Sequence, residues 1–154
     1  MTYIPMSPWV CPNKIRQFMS KVFVDTGWFK GLIDRGDQYH LPAKNIYREF
    51  RRAKQALITT NFVVAETFTL VHKDCGLYWA KKLDEMLKNL KSNLEIERVT
   101  TVDEGGVWKW FWYDWRELSY TDCTSFGVME RLGLKKVATF DEHFELAGFE
   151  RVEL

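Results

Sequence analysis

Cysteine is scarce in this chain: three among 154 residues (Cys11, Cys75 and Cys123), with no C-x-x-C pair. An odd number without that spacing argues against a disulfide framework or a thiolate zinc site, and suits a reducing compartment. Histidine is equally sparse, and His40, His72 and His143 are scattered without ligand spacing, so a metal site here has to be built from oxygen. No apolar run approaches the ~18 residues that would span a bilayer. The first twenty residues also lack the apolar core of a signal peptide. The expectation is a cytoplasmic protein with no membrane partner. Of four prolines, three (Pro5, Pro8 and Pro12) lie near the start, where hydrophobic periodicity is weak. Residues 1–20 therefore read as an N-terminal extension outside the core, with Met19 readable as an alternative start. Residues 21–154 then make one domain, long enough to bury a core.

What the chain does have is charge, unevenly spread. Residues 1–54 carry ten basic and four acidic side chains, whereas residues 103–154 carry six basic and eleven acidic ones. A basic lobe beside an acidic one suits a protein that holds both phosphate and a cation. Aromatic residues make up 16% of the chain, seven of them Trp, which points to a bulky core or a sticky face.

Taken in order, Val22 to Val24 reads as a short strand that stops at Asp25 and leads into a helix through Trp28 and Ile33. Residues 43–56 read as a basic helix, with Lys44, Arg48, Arg51, Arg52 and Lys54 around an apolar line of Ile46, Tyr47 and Phe50. Such a face is either solvated or a contact surface for a phosphate backbone. Leu57 to Thr60 is a second strand, and Asn61 is placed to cap the helix that runs on to Val71. Glu66 is the anomaly in that helix, a carboxylate in an otherwise apolar run. Leu77 to Leu90 is an amphipathic helix and Leu94 to Val99 a third strand. Asp103 to Trp115 is expected as a helix with Trp108, Phe111, Trp112 and Trp115 facing the core and Trp110 exposed. Phe149 to Val152 makes a short last strand.

The stretch from Leu118 to Phe144 organises the rest. Thr121 and Asp122 sit where a helix N-terminus favours oxygen acceptors and negative charge. Phe126, Met129 and Leu132 follow at helical spacing, and Gly133 is placed as a stop. Lys135 to Phe140 then reads as a strand followed at once by Asp141. A helix of ~12 residues descends about 18 Å and a strand of ~6 climbs back about 20 Å, so Asp122 and Asp141 return to one edge. Taken singly, each also reads as a helix cap. Strands alternating with helices imply a single-domain, three-layer α/β/α fold with a central, mostly parallel sheet of four to five strands. Four acids, Asp25, Glu66, Asp122 and Asp141, then fall at or near its carboxyl edge, where such sheets bind ligands.

With that ordered set in place, the chain resembles the PIN-domain nucleases, and among them the VapC-type toxins of toxin–antitoxin pairs. The resemblance is carried by VFVDTG at 22–27, ITTNFVVAE at 58–66, LSYTDC at 118–123 and ATFDEHF at 138–144, with AGFERV at 147–152 behind them. It implies a PIN-like fold and a ribonuclease that uses Mg²⁺ or Mn²⁺ and an activated water to cut phosphodiester bonds. Asp25, Asp122 and Asp141 would then hold the metal, with Glu66 a ligand through water or a proton acceptor. Thr26, Asn61, Thr121 and Thr139 would orient those acids by hydrogen bonds, and Lys44, Arg48, Arg51 and Arg52 would contact RNA. A cognate antitoxin and a homodimer are the implied protein partners. The departure from the family is the extension at 1–20. Two alternatives share the fold: a non-toxin PIN nuclease in RNA processing or decay, and a catalytically inactive PIN scaffold. A receiver-like signalling domain fits less well, because Asp25 ends its strand alone where such domains carry an acidic pair.

Overall fold

The computed structural model describes residues 21–153, so the expected extension at 1–20 lies outside the described residues. Five parallel strands form one sheet in the order β3-β2-β1-β4-β5: β1 (Val22–Val24), β2 (Leu57–Thr60), β3 (Leu94–Glu97), β4 (Lys136–Ala138) and β5 (Glu150–Arg151). Seven helices flank it. They are α1 (Thr26–Ile33), α2 (His40–Ala53), α3 (Asn61–Cys75), α4 (Leu77–Leu90), α5 (Thr101–Phe111), α6 (Tyr120–Leu132) and α7 (His143–Leu146). Successive strand residues point to opposite faces, and Val22, Phe23 and Val24 are all buried, so both faces of the sheet are covered. This is the expected α/β/α arrangement. β1 is central, paired with β2 through Phe23–Ile58 and with β4 through Phe23–Val137 and Val24–Ala138.

Several element ends differ from expectation, each for a local reason. Thr60, and not Asn61, caps α3, its hydroxyl accepting from Val63 N at 3.1 Å. β3 stops at Glu97, because residues 98–100 turn into α5, whose first turn is closed by a capping box between Thr100 and Asp103. α6 begins at Tyr120 with a second such box, between Ser119 and Asp122. α5 ends at Phe111, short of Trp115, and left-handed backbone follows at Asp114 and Glu117.

Trp115, past the end of α5, packs against the core as expected, but within α5 the aromatic face is the reverse of the expected one. Asp103, Val107 and Trp110 form its buried seam, whereas Trp108, Phe111 and Trp112 are exposed. Both sets recur at helical spacing, so periodicity alone does not choose between them. Packing does: Trp110 meets Phe126 of α6 edge-on at 5.3 Å, and Gly127 brings α6 against the Asp103 backbone, where a Cβ would lie 3.3 Å from the Asp103 carbonyl oxygen. A comparable close approach at Gly31, beside Ala43 and the Tyr39 carbonyl, lets α1 and α2 pack and sets Tyr39 flat on Phe140. No helix among the described residues is long and apolar enough to cross a membrane.

Candidate active site

The sheet register brings the four expected acids to one edge. Asp25 follows β1 directly and is anchored there by its own N–H, which donates to the Ala138 carbonyl of β4 at 3.1 Å. Its side chain occupies the N-cap position of α1 without capping it and is almost wholly buried. Thr139, one residue past β4, donates its hydroxyl to Asp25 Oδ2 at 2.9 Å and accepts the N–H of Asp141 at 3.0 Å. One threonine thus ties the acid after β1 to the acid after β4. Asp122 is fixed by its capping box: its Oδ2 accepts Ser119 N at 2.9 Å while Ser119 Oγ accepts Asp122 N at 3.0 Å. Glu66, one turn into α3, accepts the Thr26 hydroxyl at 2.5 Å.

The electrostatics are one-sided. Burial, followed by the charge of Asp122, pushes Asp25 up to about 8 from an ordinary 3.8, against the hydrogen bond from Thr139. Burial also raises Asp122 to about 6, with Asp141 and Glu66 adding to the shift and the Ser119 hydrogen bonds opposing it. Among the described residues, the ion pairs include no lysine or arginine on any of the four acids. Asp25 Oδ1 is buried with no hydrogen-bond donor. A buried acceptor without a partner, in a cluster of mutually repelling carboxylates, fits a divalent cation bound mainly through oxygen.

The cluster has one member that sequence reasoning missed. Asp122, Asp141 and His143 offer ligand atoms that all lie within 4.8 Å of one another. His143 Nδ1 is 2.8 Å from Asp141 Oδ1, and the imidazole lies flat on Trp115. Histidines scattered along the chain therefore do not imply histidines remote from the acids. The available signal was the D-x-H spacing, since the Asp141 carboxylate accepts the N–H of His143 two residues on and folds the ring back.

The expected supporting residues divide. Thr26 and Thr139 hold acids, as described above. Thr121 shares a cleft of about 370 Å³ with Glu66 and Phe62, but its carbonyl serves the hydroxyls of Thr124 and Ser125. Asn61 Oδ1 accepts Val99 N at 2.8 Å, so it fastens the turn after β3 and not an acid.

The expected RNA-contacting residues divide as well. α2 descends from the acid edge, where Pro42, Asn45 and Ile46 share a cleft with Thr139 and Phe140. Its C-cap Lys54 lies at the opposite edge, in a groove with Lys21 and Lys91. Lys44 lies in the second turn of α2, and Arg48 one turn further from the acid edge. Arg51 and Arg52 lie in the last turn, about 16 Å down the axis from His40. Arg52 pairs with Glu49, and Arg51 sits over the Tyr47 ring. Two other arginines lie nearer the acids, although Arg151 pairs with Glu145 at 3.0 Å and Arg116 has Glu117 at 4.0 Å. Arg116 and Arg151 share a cleft of about 450 Å³ with Asp141 and His143.

Comparison with known proteins agrees with this geometry. The PIN domain family profile matches residues 22–150. The 23S rRNA-specific endonuclease VapC20 of Mycobacterium tuberculosis is 34% identical over 132 residues, covering 85% of this chain and 97% of that protein. The crystal structure of M. tuberculosis VapC20, described as a sarcin-ricin loop cleaving toxin, superposes with a TM-score of 0.72, covering 86% of this chain and 98% of that one. VapBC2 from Rickettsia felis, bound to a DNA fragment from its promoter, shares the fold at 14% identity, with a TM-score of 0.62 over 86% of this chain and 99% of that one. With the family match covering most of its length and the four acids gathered at the carboxyl edge of its sheet, the chain belongs to the PIN-domain family.

Proposed function

We propose that this protein is a metal-dependent endoribonuclease that hydrolyses phosphodiester bonds in RNA and acts as the toxin of a type II toxin–antitoxin pair. The observation that carries the reading is buried Asp25 and Asp122 with half-buried Asp141 and Glu66 beside them, none of the four paired with a lysine or arginine among the described residues. The names of its relatives support the substrate class, and ribosomal RNA is the substrate proposed here. Asp25, Asp122 and Asp141 hold the cation, Mg²⁺ in the cell with Mn²⁺ able to replace it. When bound, the cation neutralises the carboxylates, polarises the phosphate and lowers the pKa of water.

The protein's own contribution is placement. The Thr139 hydroxyl sets the separation of Asp25 from Asp141, and Ser119 locks the Asp122 rotamer. Glu66, steadied by Thr26, accepts a proton from the water whose oxygen attacks phosphorus. The P–O bond to the leaving oxygen breaks, and that oxygen is protonated from solvent. Lys44 and Arg48 on α2, and Arg116 and Arg151 in the cleft with Asp141, bind the flanking phosphates. A small antitoxin protein and a second copy of the chain are the proposed protein partners. The test is incubation of purified protein with ribosomal RNA in Mg²⁺, in Mn²⁺ and in EDTA. Cleavage in either metal that stops in EDTA is expected. Cleavage that persists in EDTA would overturn the metal reading, and intact RNA under all three conditions would overturn the nuclease reading.

A further inference from the structure

The exposed rings of α5 do not end in solvent at random. α5 runs antiparallel to α6: Asp103 in its first turn meets Gly127 and Arg131, whereas Trp108 in its last turns meets Tyr120 at the start of α6. The aromatic end of α5 therefore rises to the edge where Asp122 lies. From there the rings form a continuous ribbon. Phe62 stacks on Tyr120 with centroids 6.4 Å apart, Tyr120 meets Trp108 edge-on at 6.4 Å, and Trp108 stacks on Trp112 at 5.4 Å with the planes 20° apart. Trp112 is 74% exposed, so its outer face is open.

The near end of this ribbon belongs to the acid site. Tyr120 is two residues before Asp122 on α6, Phe62 is one turn before Glu66 on α3, and Phe62 lines the same cleft as Glu66 and Thr121. Both helices that carry site acids thus carry a ring beside them. Arg116, in the loop between Trp112 and Tyr120, lines the neighbouring cleft with Asp141 and His143 and has Glu117 at 4.0 Å.

We propose that Phe62, Tyr120, Trp108 and Trp112 form a stacking platform for unpaired bases of the RNA beside the scissile phosphate. The inference rests on the ribonuclease reading above and deepens it: the substrate is single-stranded or looped at the cut, because only unstacked bases expose faces to such rings. Planar π surfaces in series, starting beside the acids, fit successive nucleobases. A ring platform is tolerant of base identity, so it selects strand state more than sequence.

The experiment measures RNA binding to the full chain in EDTA, where no turnover interferes. Two oligonucleotides of one length are used, one with normal bases and one abasic on the segment flanking the cut. Trp112→Ala should weaken binding of the normal oligonucleotide about tenfold, and Trp112→Phe should largely restore it. Against the abasic oligonucleotide the same substitutions should change nothing. Equal losses on both oligonucleotides would overturn the stacking assignment, as would no loss on either. Sedimentation of the same variants identifies the rival occupant: if Trp112→Ala dissociates a dimer and leaves RNA affinity unchanged, the ribbon is a contact between copies. A wild-type protein that binds no RNA in EDTA and cleaves none when Mg²⁺ is restored would instead remove the ribonuclease reading itself. Thermal unfolding of each variant controls for folding, which an exposed position tolerates.

Discussion

Two aspartates in this protein occupy the same local motif and have opposite electrostatics. Asp103 and Asp122 are each the third residue of a helix, each accepts the N–H of a capping hydroxyl residue three positions earlier, and each is buried. Burial works to raise Asp103, but Arg131 clamps it through two hydrogen bonds of 2.8 and 3.0 Å, and with the Thr100 bonds holds it below the ordinary carboxylate value. Asp122 has the same cap and no arginine, faces Asp141 and Glu66, and is pushed up to about 6. A capping box therefore builds a helix start in both places, but only the neighbours decide whether the acid is structure or site. A compensated acid keeps its charge in the fold, and an uncompensated one is the candidate for holding a cation.

The sharpest test of that difference exchanges charge for neutral amide at each site. Asp122→Asn should lower RNA cleavage on the order of a hundredfold or more, since a ligand to the cation is lost. Its melting temperature should hold or rise, because a like-charge repulsion goes with it. Asp103→Asn should leave cleavage near the parent level while lowering the melting temperature. Initial rates and thermal scans on both variants check this. An active Asp122→Asn protein would move the site elsewhere.

Next in size is the removal of the compensating partner. Arg131→Met leaves Asp103 buried and unpaired, and Glu97 loses its contact to the same guanidinium. The expected cost is about 2–3 kcal/mol, reduced from that of a fully buried pair because the guanidinium is partly exposed. Urea unfolding of the variant measures it, and the loss should largely vanish in Arg131→Met combined with Asp103→Asn, which keeps an acceptor for the Thr100 N–H. If the double variant is as weak as the single, packing and not charge explains the arginine.

The pH dependence separates the two aspartates in one experiment. Asp25 and Asp122 bind protons more tightly folded than unfolded, so the metal-free fold loses stability as pH rises from about 4 to about 8, and the loss levels off above that. Asp103 has the reverse sign: its stabilisation is present above about pH 4 and is lost on further acidification. Unfolding free energies from pH 3 to 9 in EDTA should fall off on both limbs. Saturating Mg²⁺ should lift the alkaline limb alone, because binding to the folded state adds stability by mass action. An alkaline limb that survives in the Asp25→Asn, Asp122→Asn double variant would assign it to other groups.

The same contrast explains what could be read without coordinates. The four acids were legible because strand–acid–helix order sends each to the carboxyl edge, and a parallel sheet makes that edge a single place. The inward face of α5 was not legible, because rings occupy both of its faces and the choice rests on Gly127 and the Asp103–Arg131 pair, which are contacts between helices. His143 was missed because its approach to the acids depends on a turn of three residues and not on spacing along a helix. The basic helix was legible as a helix but not in direction. The contact of Tyr39 with Phe140 decides which end faces the acids, and that places Arg51 and Arg52 far from them.

The smallest expected effect divides the two capping boxes themselves. Thr100→Ala and Ser119→Ala each remove one hydroxyl that accepts a first-turn N–H, and each should cost about 1 kcal/mol of stability. At α5 that is the whole consequence, because Arg131 still holds Asp103 in place. At α6 the hydroxyl is one of the few groups that favour the charged form of Asp122, so its loss moves that carboxyl further up and leaves its rotamer less fixed. Ser119→Ala should therefore weaken Mn²⁺ binding several-fold at pH 6 and much less at pH 8, where the carboxyl ionises in either protein. Thr100→Ala should leave Mn²⁺ affinity unchanged at both pH values. Titration calorimetry with Mn²⁺ at pH 6 and pH 8 reads the difference directly. Equal affinities for the two variants at pH 6 would mean that Ser119 caps its helix and does nothing more.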